Sequence, residues 1–397
     1  MRTKIVGILV CMLMIAAVVF PVAGTMNNKI LVDAIAQIGT QTIQNTIVQS
    51  CANPHRCTTL ISETNNNRVI EVDTNGTIVW EKDGLNAPVD ADRLPNGNTL
   101  ITTLLGGVIE VNKSGAIIWN YSMIYGPSQA DRLANGNTLI AGMYSGGIYE
   151  VNTSGGVVWS VENLNYPVST ERLLNGNTLV TEWETTQQGN GRVIEINNTG
   201  AIQWQWNSSG IVIDAERLTN GNTLISDTGN NRVIEVDHSG MITWEKDNVS
   251  APSRIQRLAN GNTLIAQYTN GKVIEVSPNG SVVWQLAGLN WPIDAARMEP
   301  GFNVTLSKGL GITAHIKNIG NANASNVKTS ISVIGGFILW GITKTNPLGN
   351  LSIGSMTTTK FLLIGLGKIT VSVKVTCDEG TEGKGNTSGF LLLFYLF

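Results

Sequence analysis

From Thr58 to Met298 the chain is a succession of short apolar, β-branched runs separated by turn residues. The stretch from Asp214 to Trp244, DAERLTNGNTLISDTGNNRVIEVDHSGMITW, shows the pattern. Its runs NTLI, RVIEV and MITW are cut apart by Asn-Gly at 220–221 and Ser-Gly at 239–240. Gly and Asn tolerate the positive φ of tight turns, so each cut predicts a hairpin and each run a strand. The same sentence recurs six times. The Leu of the second strand returns at Leu60, Leu100, Leu139, Leu179, Leu224 and Leu264. The Trp ending the fourth strand returns at Trp80, Trp119, Trp159, Trp204, Trp244 and Trp284. Both series step by 39–40 residues, with one step of 45. Four strands in a period near 40 predict a β-propeller of six blades.

The phase of the repeat predicts how the ring closes. The first copy opens at TTLIS (58–62) without a DAxR strand, and the last, PIDAARM (292–298), consists of that strand alone. Pairing the last strand with the first copy leaves no open sheet edge at the join. After Met298 the 40-residue period stops. Runs such as ITAHIKNIGNANASNVKTSISVIGG and TTTKFLLIGLGKITVSVKV alternate with Gly and Asn turns through Phe397, which predicts a β-sandwich. The terminal GFLLLFYLF is too short for a spanning helix and reads as a sandwich strand. The expected fold is all-β, with residues 58–299 as propeller and 300–397 as sandwich.

The N-terminus adds a targeting segment. Arg2 and Lys4 precede an apolar run, Ile5 to Phe20, then Pro21 and small residues at Ala23-Gly24. Residues 1–24 therefore read as an export signal, with an uncleaved membrane anchor as the alternative. Residues 25–57 form a lead-in, helical or extended. In an oxidising compartment Cys51 and Cys57 are placed to close a small loop, with Cys377 left over. With only His55 nearby, no metal site is expected, and no cofactor. A net charge of −3 without a basic stripe argues against nucleic acid.

Two charged columns recur in every copy. Arg93, Arg132, Arg172, Arg217, Arg257 and Arg297 end the first strand, and Glu71, Glu110, Glu150, Glu195, Glu235 and Glu275 sit in the third. A residue present six times in a ring is scaffold, so each Arg is expected to pair with a Glu, bidentately and partly buried. The six Trp are expected to pack between blades.

Function is sought where the copies differ. At the start of the innermost strand the column reads Asp90, Gln129, Ser169, Asp214, Arg254 and Asp294, which places carboxylates and a guanidinium at a channel mouth. The second-to-third-strand loops add Glu63, Tyr144, Glu182, Trp183, Asp227 and Tyr268 on the same face, and the extra residues of the fourth copy lie there too, in 182–192. Connections between blades add Tyr125, Tyr166, Trp206 and Trp291. Aromatics beside carboxylates suit carbohydrate or peptide recognition.

The motifs RLxNGNTLI, NRVIEVD and SGxIxWE resemble the repeats of arylsulfotransferase-like and pyrroloquinoline-quinone-like propellers over residues 58–298. ETNNNRVIEVD (63–73) and DTGNNRVIEVD (227–237) also resemble NHL-type repeats, and IKNIGNANASNV resembles CARDB-type immunoglobulin-like domains. The arylsulfotransferase resemblance implies a histidine at the channel mouth, but His55, His238 and His315 all lie elsewhere. No catalytic residue is assigned. The chain reads as an exported, non-catalytic binding or adhesion protein for an extracellular glycan, peptide or protein, touching membrane only through an uncleaved signal segment. The alternative is an arylsulfotransferase-like or other propeller enzyme acting at the Asp-rich mouth.

Overall fold

The computed structural model describes residues 58–397 apart from 184–189, 321, 342, 353, 379–381, 394 and 397. The expected export signal and lead-in, the expected Cys51–Cys57 loop and most of the long loop of the fourth copy lie outside the described residues.

Six four-stranded antiparallel sheets form the ring. Their innermost strands are Pro292–Arg297 for blade 1, then Pro88–Arg93, Pro127–Arg132, Pro167–Arg172, Asp214–Arg217 and Pro252–Arg257 for blades 2 to 6. Blade 1 is the spliced one. Its inner strand, the last of the repeat, pairs with Thr59–Glu63, with Thr59 opposite Arg297 and Leu60 opposite Ala296. The expected closure is therefore observed.

The recurring columns hold neighbouring blades together. Each Arg Nη2 lies 2.5–3.0 Å from an Oε2 of the Glu in the preceding blade, from Arg93–Glu71 round to Arg297–Glu275. The pairing is monodentate, correcting the bidentate expectation, because the other Glu oxygen is already taken. In blades 2 to 6 it accepts from asparagines of the NGN turn, such as Asn96 and Asn98 on Glu110. In spliced blade 1, which has no such turn, Thr58 Oγ1 bonds Glu71 instead.

The same guanidinium stands 4.4–5.3 Å from the ring centroid of the preceding blade's Trp. That indole N–H in turn donates, over 2.8–3.2 Å, to a carbonyl in the third-to-fourth-strand turn of the following blade. Stacking, ion pairing and an indole hydrogen bond thus act at one place in all six joints. His238 serves this scaffold, its carbonyl accepting from Trp204.

C-terminal to the ring, a three-stranded and a five-stranded sheet face each other. Ile312, Ala314 and Ile316 of the first pack with Ile331, Val371, Val373, Val375 and Leu391 of the second in one core. This is the sandwich read from the alternation of those strands. GFLLLFYLF supplies the end of strand Glu382–Leu393 and the short strand Tyr395–Leu396.

Candidate functional site

Each innermost strand is the edge of its sheet, so alternate N–H groups face the axis with no ladder partner. The first varying column supplies acceptors for them. Asp294 Oδ2 accepts from Ala91 N–H at 3.0 Å, Asp90 Oδ2 from Ala130 N–H at 3.0 Å, and Asp214 Oδ2 from Ile255 N–H at 3.0 Å. Gln129 Oε1 accepts from Thr170 N–H at 2.5 Å. Two residues further along, Glu171 takes Arg217 N–H at 2.8 Å, Glu216 takes Arg257 N–H at 2.8 Å, and Gln256 takes Arg297 N–H at 2.7 Å. All six joints are covered, each by a side chain reaching the next blade's backbone.

Arg254 crosses the axis. Its Nη1 meets Asp214 Oδ1 at 3.2 Å, while Nη2 donates to the carbonyls of Ser128 at 2.8 Å and Val168 at 3.4 Å, in blades 3 and 4. Asp90, Asp214, Arg254 and Asp294 are all buried. Burial raises the pKa of Asp90, against the pull of Arg254. Asp294 is driven well above the carboxylate range by burial and by repulsion from Asp90 and Asp92. The column expected at an open channel mouth is thus buried apart from half-buried Gln129, and its carboxylates already accept hydrogen bonds.

The loop carboxylates are placed similarly. Glu63 accepts from Arg68 Nε at 2.6 Å and from Asn290 N–H at 2.8 Å. Glu182 bonds Arg192 Nε and accepts from Asn165 N–H at 2.7 Å. Asp227 accepts from Arg232 Nε at 2.7 Å and Ser208 Oγ at 2.5 Å. Each ties a second-to-third-strand loop to the connection entering its own blade, and each is fully buried. Trp183 and Tyr268 are also buried rather than presented on the face. Trp183 packs with Val168 and Ile211, and Tyr268 lies edge-on to Trp291 with centroids 5.7 Å apart.

Two features remain. The first went unnoticed in the sequence: Asp92, Asp131, Glu171 and Glu216, half-buried in the channel two residues beyond the varying column. The two-residue period of a strand puts them on the same side as that column, which was the available signal. Asp92 and Asp131 lie close enough to act on each other's ionisation, and burial, then the charge of Asp92, pushes the Asp131 carboxyl well above its ordinary value. Burial first, then Asp90, raises Asp92 to about 7. Burial likewise raises Glu171 to about 7 and Glu216 to about 8. A recess of about 390 Å³ beside Glu216, Arg217, Glu235 and Arg257 opens between blades 5 and 6.

The second feature is a tyrosine cluster on the loop-and-connection face of blades 3 and 4. Tyr144 lies 5.5 Å from Tyr125 and 6.5 Å, edge-on, from Tyr166, between ring centroids. Tyr125 is 67% exposed and Tyr166 39%, whereas Trp183 nearby is 8% exposed. The residue before the first-strand proline adopts positive φ in Ala87, Tyr166, Ala251 and Trp291. In blade 3 that residue is Gly126, where a Cβ would stand 2.1 Å from the Tyr144 ring. Glycine there makes room for the central tyrosine.

The family described as outer membrane protein assembly factor BamB, of the PQQ_2 type, matches residues 144–292, from the loop of blade 3 to the start of the closing strand. The repeats are PQQ-like. No curated protein matches the chain. Among solved structures, a protein of unknown function from Bacteroides caccae is 20% identical, with 61% of this chain and 98% of that one covered at a TM-score of 0.53. This likeness shows the propeller fold. Virginiamycin B lyase from Staphylococcus aureus aligns at 14% identity over 68% of this chain and 94% of that one, at a TM-score of 0.45.

Proposed function

We propose that this chain is an exported, non-catalytic binding propeller, spanning residues 58–299, whose ligand docks on the tyrosine face of blades 3 and 4. The observation that carries the reading is the Tyr125–Tyr144–Tyr166 cluster, with Gly126 clearing space for its central ring. Tyrosine offers a rigid apolar face and a hydroxyl at small entropic cost, which suits sugars and extended peptides. Exposed Asn163 and Asn165 lie close to Tyr166 in the chain and offer neutral donors and acceptors, while the Ser145 hydroxyl is held by the Tyr125 backbone. A neutral extracellular glycan is the ligand class that fits best. The buried carboxylates of the first column support this assignment, since each already accepts a backbone N–H of the next blade. Glycan-array binding of the chain, compared with Tyr144→Ala and Tyr125→Ala, tests the reading. Binding that both variants lose supports it; binding indifferent to both removes it.

A second reading has its own observation. Asp92 and Asp131 are neighbouring half-buried channel carboxyls, both raised by burial and then by the charge of a nearby carboxylate, and such a pair can donate and accept protons near neutral pH. Under this reading the ring is a hydrolase or lyase approached from the NGN-turn face. Turnover abolished by Asp131→Asn, with an unchanged melting curve, would favour it over the binding propeller.

A further inference from the structure

The C-terminal sandwich is polarised along its length. Its strands alternate in direction, so residues near Gly301, Ala324, Leu351 and Thr376 share the end next to the propeller. Residues near Gly309–Gly311, Ile334–Leu339, Leu362–Leu366 and Phe390–Leu392 share the far end.

The outer face of the larger sheet changes character between these ends. Nearest the propeller it carries Lys374 paired with Glu382 at 2.5 Å. Midway, Thr370 and Ser388 share a hydrogen bond of 3.0 Å. At the far end Phe337, Leu366 and Leu392 stand opposite one another in a single row across three strands. With Ile334, Leu339 and Phe390 they form a terminal surface whose members are 46% to 74% exposed. Apolar side chains gathered this way on one end mark a surface that is covered when the protein works.

Charge identifies the cover. From residue 302 onward the chain has eight Lys, no Arg and only three acidic residues, Asp378, Glu379 and Glu382. All three acids fall in sequence between strands Ile364–Thr376 and Glu382–Leu393 or at the first residue of the latter, away from the far end. Lys368 lies opposite Phe390 in the register, and Lys308 precedes exposed Leu310. A lysine stem lies along apolar surface while its ammonium reaches the headgroup layer. A second copy of the same end would bring lysines against lysines.

We infer that the far end of the sandwich is a membrane-docking tip that inserts shallowly into an anionic phospholipid surface. Apolar burial at the headgroup boundary and lysine attraction to anionic lipid act together there. The propeller would then stand away from the bilayer with its tyrosine face in solvent.

Hydrogen exchange of the full chain, with and without vesicles of phosphatidylcholine and phosphatidylglycerol, tests this without any substitution. The expected result is slowed exchange in 333–339, 363–368 and 388–393, stronger with the anionic lipid than with phosphatidylcholine alone. Protection confined to the N-terminal apolar run would overturn the inference. In co-sedimentation, the triple variant Phe337→Asp/Leu366→Asp/Leu392→Asp should lose about tenfold or more in partitioning. Its unchanged melting would show that the fold persists, and Lys308→Gln/Lys368→Gln should selectively weaken the preference for anionic lipid. Lipid-independent dimers that the triple variant abolishes would assign the surface to a second copy instead.

Discussion

Arg297 and Glu275 meet at 2.8 Å across the joint between blades 6 and 1, and each side chain is only 2% exposed. The equivalent pair of blades 4 and 3, Arg172 and Glu150, is 20% and 13% exposed. One pair type therefore occurs in two environments, and removing one partner should be costlier where the other is left in a dry site. Arg297→Ala should cost about 3–5 kcal/mol. Arg172→Ala should cost about 1 kcal/mol. Denaturant titration of the two variants measures the gap. Equal losses would mean that the cation–aromatic stack, present in both, carries most of the energy.

Stability should fall as pH rises from about 4 to about 8. Asp92 and Glu171 at about 7, and Glu216 at about 8, hold protons that the unfolded chain releases near pH 4. The folded state then binds more protons across that window, so its advantage is complete below about pH 4 and disappears as pH climbs through about 7 to 8. Glu150 and Glu195 are lowered by asparagine hydrogen bonds and by Arg pairing, which outweigh their burial, and they act oppositely at acid pH. Melting temperatures across pH should trace this decline, and Glu216→Gln, which retains an acceptor for Arg257 N–H, should flatten it.

Arg254→Leu should destabilise the ring by about 3–5 kcal/mol, because it leaves Asp214 without its cation and two blade carbonyls without a donor. Adding Asp214→Asn should recover part of the loss, since the remaining amide still accepts from Ile255 N–H. A double-mutant cycle in urea reads the coupling, and strict additivity would show that the two do not act together.

Gly126→Ala couples structure to ligand. Its Cβ would enter the Tyr144 ring, and φ there is +60°. The expected cost is about 1–3 kcal/mol. Loss of ligand binding should accompany it, because Tyr144 must move. Calorimetric binding alongside thermal melting separates the two effects.

Trp183→Ala should behave as a core deletion, costing about 3–5 kcal/mol through the cavity it leaves beside Val168 and Ile211. At a temperature where the variant stays folded, its ligand affinity should match the parent's.

The ring was legible in the sequence because its joints use one solution six times. The Trp column, the Arg and Glu columns and the displaced last strand each repeat at a fixed step, and a repeat reveals architecture. The first channel column misled for a chemical reason. Asp90, Gln129 and Asp214 differ in type yet do the same thing, because any side chain with an oxygen at that reach can accept a backbone N–H. Variation there looked like specialisation and was equivalence. Trp183 stood off the structural column and was read as presented, but no sequence signal gives the direction of a side chain at a strand end. Tyr144 was legible as a loop aromatic, but the room its ring needs comes from Gly126, 18 residues earlier in the chain, a link no local pattern shows.

The splice in blade 1 also sets an order of events. Asn290 N–H bonds Glu63 across a separation of 227 positions, and Met298 N–H reaches Thr58 O at 2.9 Å. Contacts of that span are made late, since the chain between them must be gathered first. Blades 2 to 6 are each built from one continuous segment, whereas the first blade waits for a strand that emerges after all the others. Its Thr59–Glu63 edge stays unpaired through most of synthesis. Closure is thus expected late in assembly, and a chain cut short before Arg297 would leave an exposed edge open to pairing with other chains.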